Sequence, residues 1–181
     1  MIVVPTAIEG VYLIDPEPVP DERGFFARTW CRQEARRAGI DVDWVQFNVS
    51  RNTRRGTLRG MHWQRAPHSE AKLVRCTRGR VFDVVVDMRL QSSTYARHVS
   101  VELDAEGARA LYIPAAEIAH GFMTLEDDTE VFYHMSEFMV PDAVAAARWD
   151  DPAFGIRWPE APTVMSQRDR THPYLQGHGR G

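Results

Sequence analysis

Arg80-Val81-Phe82-Asp83-Val84-Val85-Val86-Asp87-Met88 is the stretch that decides the fold. In an extended chain Phe82, Val84, Val86 and Met88 fall on one side and Asp83, Val85 and Asp87 on the other, a period of two that no helix sustains. The same alternation recurs on both sides, in short runs rich in Val, Phe, Tyr, Trp and Thr. It predicts strands over Trp44–Ser50, Thr57–Gln64, Lys72–Thr77, Val99–Leu103, Ala110–Ile113, Gly121–Leu125 and Glu130–Glu137. Arg78-Gly79, Glu106-Gly107 and Asp127-Asp128 supply turns between them. The best helix is Thr29 to Gly39, with Cys31, Ala35 and Ala38 on one face and Gly39 at its stop. One short helix cannot provide the crossovers of a parallel sheet, so the expected class is all-β, an antiparallel jelly-roll sandwich or barrel with a few short peripheral helices. No repeat or Ser/Gly linker divides the chain. The expected organisation is therefore a single domain over 1–181, with its core at about 15–160. The Pro-rich segment 150–181, with Pro152, Pro159, Pro162 and Pro173, reads as an extended arm over the sheets.

Composition narrows the function classes. Of 181 residues, 44% are hydrophobic and 26% charged, ordinary globular usage, which excludes a disordered polyelectrolyte. A net charge of -3 is too balanced to hold nucleic acid or an anionic membrane through overall charge, so any anion site is local. Cys31 and Cys76 are too few for a disulfide framework. Pro5 and Glu9 interrupt the apolar start at Ile2-Val3-Val4, leaving neither a signal-peptide stretch nor a membrane span. A cytoplasmic, soluble protein is expected. Lys72 is the one lysine among 22 basic residues, which on its own fits equally a position where an amine does what arginine cannot and the chance survival of a single lysine.

Strand alternation predicts that Gly60, His62 and Gln64 share one face, with Arg59, Met61 and Trp63 on the other. His120 follows the turn at Pro114, so two imidazoles and the lone amine would line a polar barrel mouth. Jelly rolls often hold a metal through His-x-His, a Glu and a later His, but Gln64 stands where the second His would be. His62, Glu70 and His120 make a poor set for a divalent ion, and no metal is expected there.

Several segments carry a resemblance: Asp21-Glu22-Arg23-Gly24-Phe25-Phe26, Val45-Gln46-Phe47-Asn48-Val49-Ser50, Leu58 to Gln64, Ala71-Lys72-Leu73-Val74, Val81 to Arg89, and Ala119 to Phe122. With Trp149-Asp150-Asp151-Pro152, Gly155-Ile156 and Trp158-Pro159, they resemble the RmlC family, the dTDP-4-dehydrorhamnose 3,5-epimerases, from about Asp15 to Asp169. The resemblance implies a cupin-type jelly roll, a homodimer, no metal or other cofactor, and epimerisation of a nucleoside-diphosphate 4-keto-6-deoxy sugar. It implies that His62 is the base, oriented by Asp169, that Tyr133 is the acid on the opposite face, and that Lys72 steadies the enolate oxygen. Arg23 and Arg59 would hold the diphosphate, and Gln46, Asn48 and His120 would line the sugar and phosphate path. Phe26, Arg28, Met139 and Arg168 complete the implied substrate-binding set.

This chain departs from the family pattern around the nucleoside. Arg28 stands where the family usually has Glu, Met139 where a Tyr stacks on thymine, and Phe47 where Asp is frequent. The nucleobase, the sugar and the number of inverted centres therefore stay open. Two alternatives also stand: a 3,4-ketoisomerase using the same enolate, against which Tyr133 argues, and a non-catalytic sugar-nucleotide binding module on the same fold.

Overall fold

The computed structural model describes residues 1–175. Thirteen strands, two short helices and a 3-10 turn make up the described chain. One sheet has six strands: β1 (Ile2–Pro5), β2 (Tyr12–Asp15), β5 (Gln46–Asn52), β7 (Lys72–Arg78), β10 (Ala110–Ile113) and β12 (Thr129–Met135), in the order β1-β2-β10-β7-β12-β5. The other contains β6 (Leu58–Gln64), β8 (Arg80–Asp87), β9 (His98–Asp104), β11 (Ile118–Thr124) and β13 (Val144–Ala146), in the order β13-β6-β11-β8-β9. Every pairing within the two sheets is antiparallel. A separate ribbon pairs β3 (Val19–Asp21) with β4 (Gly24–Phe26).

The two sheets face each other through Val74, Cys76, Leu111, Ile113 and Val131 from one and Val81, Val85, Leu103, Ile118 and Phe122 from the other, all buried. This is the expected jelly-roll sandwich. Burying each such side chain contributes roughly 1.5–3 kcal/mol, which makes the central slab the main source of stability. Val84, Val86 and Met88 point the other way, into a second apolar layer with Met61, Ala119 and Phe154. Ile156, Trp158 and Leu175 of the carboxy-terminal segment pack on that layer. On the opposite side, Ile14, Leu73 and Tyr112 are covered by Ala35 and Ile40 of the helical segment, with Trp30 and Trp44 beside them.

The expected helix shortens to α1 (Arg32–Arg37), with Gly39 at φ 81° just beyond it. The amino-terminal Ile2, Val3 and Val4 pair with Asp15, Ile14 and Leu13 of β2 in the same chain, which makes β1 an edge strand of the six-stranded sheet. The carboxy-terminal arm carries a helix that periodicity did not predict, α2 (Gln167–Thr171), where Ser166 accepts a hydrogen bond from the Asp169 backbone N–H. The part of the expected arm beyond Leu175 lies outside the described residues. No helix among the described residues is long and apolar enough to cross a membrane.

Candidate active site

Toward one end of the sandwich the inward positions change from Val, Leu and Ile to polar groups, and a cavity of about 580 Å³ opens between the sheets. β5 contributes Gln46 and Asn48, β7 contributes Lys72, β12 contributes Tyr133, β6 contributes Arg59, His62 and Gln64, and β11 contributes His120. Arg168 and Asp169 of α2 close one side, and Met139 stands at the rim with its side chain largely exposed.

Arg59 and His62 share this cavity, although simple alternation sets them on opposite faces. Between β6 and β11, His62 pairs with His120 and Arg59 with Phe122, so three steps on one strand match two on the other. That bulge re-aims Arg59 inward. Glycine on both strands permits the close approach: a Cβ on Gly121 would lie 2.6 Å from Met61 Sδ and 2.9 Å from the Arg59 carbonyl oxygen.

His62 Nε2 lies 2.8 Å from Asp169 Oδ1. Burial opposes ionisation of Asp169, but the hydrogen bond and charge of His62 outweigh it and hold the carboxyl below its ordinary range. The dyad thus joins a strand of one sheet to the arm helix. His172, one residue beyond α2, brings its Nε2 to 3.7 Å from the same Oδ1. Burial, followed by the neighbouring His62, pushes His172 down.

Tyr133 comes from the facing sheet. Burial pushes its phenol above the ordinary value, with Arg59 acting weakly in the opposite sense. Lys72 Nζ lies 2.9 Å from Glu70 Oε1, with both residues buried, while Glu70 Oε2 accepts from the Gln64 backbone N–H. His120 Nε2 lies 2.8 Å from Asp83 Oδ1, and Asp83 is fully buried. The guanidinium of Arg59 is held through Nε by Asn52 Oδ1 at 2.8 Å, leaving its other nitrogens for the cavity. Gln46 donates to Asn48 Oδ1 at 3.1 Å along the same wall.

A base held by a carboxylate, a phenol across from it, a buried ammonium and a guanidinium can together move protons at carbon beside a carbonyl while holding an anionic handle. Three expected substrate-binding residues are not brought to this cavity within one chain. Arg23 pairs with Asp21 on the exposed ribbon, Phe26 is exposed beside it, and Arg28 pairs with Glu34. Sequence reading also missed Glu70 as the partner of Lys72 and His172 as a neighbour of the dyad. The Asp-x-x-His spacing was a signal for the latter, since three residues return a side chain to the same side of a helix.

The family model described as dTDP-4-dehydrorhamnose 3,5-epimerase matches residues 5–177. The chain belongs to the dTDP-4-dehydrorhamnose 3,5-epimerase family. A curated family member from Sinorhizobium fredii is 43% identical over 170 residues, spanning 93% of this chain and 87% of that protein. The crystal structure of the Bacillus anthracis dTDP-4-dehydrorhamnose 3,5-epimerase with TDP and PPi bound superposes with a TM-score of 0.92 at 34% identity, covering 96% of this chain and 98% of that one. The Legionella pneumophila epimerase in complex with dTDP-4-keto-L-rhamnose gives 0.88 at 34% identity, with 96% and 92% covered. Each of the two superposed structures covers 96% of this chain.

Proposed function

We propose that this chain epimerises a dTDP-linked 4-keto-6-deoxy sugar at C3, C5 or both, by enolate formation and reprotonation from the opposite face, with no cofactor. The observation that carries the reading is the placement of His62, on a strand of one sheet and held by Asp169 of α2, across from Tyr133 on the facing sheet, around one cavity that also holds the Lys72 ammonium. The names of the family and of the superposed complexes supply the substrate class.

A ketone at C4 acidifies the hydrogens on C3 and C5. With Nε2–H donated to Asp169, His62 keeps a lone pair on Nδ1 to take one of them, and the imidazolium that forms is stabilised by the carboxylate. Negative charge then gathers on the C4 oxygen, where the Lys72 ammonium is worth on the order of 3 kcal/mol. Tyr133, kept protonated by its burial, delivers a proton from the other side, and the centre inverts. Arg59 and Arg168 supply positive charge for the diphosphate, and Gln46, Asn48 and His120 line the path. Met139 offers the nucleobase a thioether at the rim in place of a ring.

The ribbon bearing Arg23 and Phe26, together with Arg28 just beyond it, does not line the cavity of its own chain and exposes Phe25 and Phe26. The β5 face exposes Phe47 and Val49. A homodimer in which the ribbon of one copy approaches the cavity of the other would use all of these. Sedimentation as a monomer at micromolar concentration would reject that part. The free thiols of Cys31 and Cys76 fit residence in a reducing cytoplasm.

The test is incubation with the dTDP 4-keto-6-deoxy sugar in D₂O, followed by NMR. Deuterium at C3, C5 or both, with inversion there, is the expected outcome, and it also counts the centres. No incorporation with that substrate or with other nucleoside diphosphate 4-keto sugars would overturn the proposal.

A further inference from the structure

His62, Asp169 and His172 make a cluster whose chemistry the epimerisation does not exhaust. Asp169 Oδ1 is approached at 2.8 Å by His62 Nε2 and at 3.7 Å by His172 Nε2, and the three donor atoms all lie within 4.8 Å of one another. His172 Nε2 is shielded from solvent yet has no hydrogen-bond partner among the described residues. A buried ring nitrogen left in that state is uncommon and needs an explanation. The two rings stand nearly perpendicular, at 82° with centroids 6.0 Å apart, so they converge on the carboxylate from different directions instead of stacking.

From this geometry we infer that His62, Asp169 and His172 form a three-point site for a borderline divalent cation of the zinc type, whose occupation switches the enzyme off. Two imidazoles and a carboxylate are the donors such ions take, with bonds near 2.0–2.2 Å and a fourth position left for water. Tetrahedral donors at that bond length stand about 3.4 Å apart. The His62–Asp169 contact at 2.8 Å has to open and the His172 contact at 3.7 Å to close by a fraction of an ångström each, and the two imidazole nitrogens, within 4.8 Å of each other, have to close by at most about 1.4 Å. Ser166 caps α2 and fixes Asp169 from behind, so two of the ligands come from one braced segment and the third from a rigid strand. The fourth position falls on the side of the cavity, which His62 and Asp169 both line. This set is distinct from the His62, Glu70 and His120 combination weighed from the sequence: Glu70 is committed to Lys72, and His120 to Asp83.

The switching half of the inference rests on the proposed role of His62. A neutral imidazole carries one proton. While Asp169 accepts Nε2–H, the lone pair needed for catalysis is on Nδ1. A cation on Nε2 displaces that proton to Nδ1, by exchange with water, and leaves His62 no free pair with which to attack a C–H bond. Asp169 is drawn onto the cation as well, so both members of the dyad are lost together. Mg²⁺ and Ca²⁺, which prefer all-oxygen sets, would not compete.

The experiment titrates the full chain, wild type and the variants His172→Ala and His172→Gln, with Zn²⁺ by calorimetry and with Co²⁺ by its visible absorption. Deuterium exchange into the sugar nucleotide is then followed at free Zn²⁺ held by a metal buffer, so that the diphosphate does not deplete it. The expected result is uptake of a single equivalent by the wild type, with the intense visible bands of a four-coordinate cobalt site. Affinity falls at least roughly tenfold in both variants, and exchange is blocked reversibly by Zn²⁺ but not by Mg²⁺. Absence of stoichiometric uptake, or equal affinity in wild type and both variants, would overturn the site. If the filled site leaves exchange running, the cation site stands and the assignment of His62 as base is what fails.

Discussion

Replacing Asp169 by Asn isolates one charge in the proposed machinery. The Asp169 carboxylate is 5% exposed and sits 2.8 Å from His62 Nε2. Asn keeps an acceptor oxygen of the same size, so the ring retains its place, but the negative charge facing the developing imidazolium is gone. A hydrogen bond to a charged group contributes about 1.5–3 kcal/mol. If that amount is realised mainly after proton abstraction begins, the turnover rate falls by roughly 10- to 150-fold. The substrate does not rely on Asp169 for binding in this account, so KM should stay within about a factor of three. If the amide turns its NH₂ toward Nε2, the other tautomer is favoured and the loss deepens toward roughly 10⁴-fold. The assay is the rate of deuterium entry at carbon under saturating substrate, with thermal unfolding measured alongside to show that α2 still docks. A variant exchanging at the wild-type rate, or one damaged only in KM, would refute the idea that Asp169 acts through His62.

Tyr133→Phe keeps the ring and removes the acid. Exchange of the C–H proton with solvent should persist, because His62 can return a deuteron to the side it came from, while net inversion falls about 10²–10⁴-fold; equal losses of exchange and inversion would contradict the two-sided scheme. Gly121→Ala places a methyl group 2.6 Å from Met61 Sδ and 2.9 Å from the Arg59 carbonyl. Overpacking of that kind should cost about 1–3 kcal/mol in denaturant unfolding, and an unchanged midpoint would mean that the two strands are not so close. Asp87 is fully buried, and although burial alone would raise it, donors from Arg89, Ser92 and Thr94 hold it at about 2. Its folded value lies below the unfolded one, so its contribution, roughly 2 kcal/mol, is complete above about pH 4 and is lost as the pH falls toward 2. Parallel stability-against-pH curves for wild type and Asp87→Asn would remove Asp87 from that role.

Much of the fold could be read from residues because both sheets obey a period of two over lengths that admit no other reading. Ala110–Ile113 was found to the residue, and Arg80–Asp87 sends Val84 and Val86 to one apolar layer and Val81 and Val85 to the other. What escaped has physical reasons. Arg59 was set on the wrong face because a bulge is fixed by the pairing with β11, which no single strand reveals. Helix α2 escaped because a five-residue helix carries too little periodicity, and its Ser166 cap gains meaning only once Asp169 has a partner. The strands β1 and β2 lie either side of a turn at Gly10, φ 83°, and are too short for alternation to register. Within the site, His62, Lys72, Tyr133 and Asp169 do meet around one cavity. Arg23, Phe26 and Arg28 do not reach it, since they belong to an exposed ribbon and the segment after it, whose location in an assembly is not written in local pattern. His172 was overlooked because its interest depends on a third group, His62, that lies more than a hundred residues away in the chain.

The central claim is that an imidazole and a phenol from opposing sheets address the two faces of one sugar ring. A crystal structure of the chain with a dTDP-sugar bound measures this directly. The account predicts the hexose between β6 and β12, with a His62 ring nitrogen and the Tyr133 hydroxyl each within about 3–3.5 Å of ring carbons from opposite sides and Lys72 Nζ beside the C4 oxygen. A sugar seated outside the cavity, or His62 and Tyr133 on the same side of the ring, would contradict it.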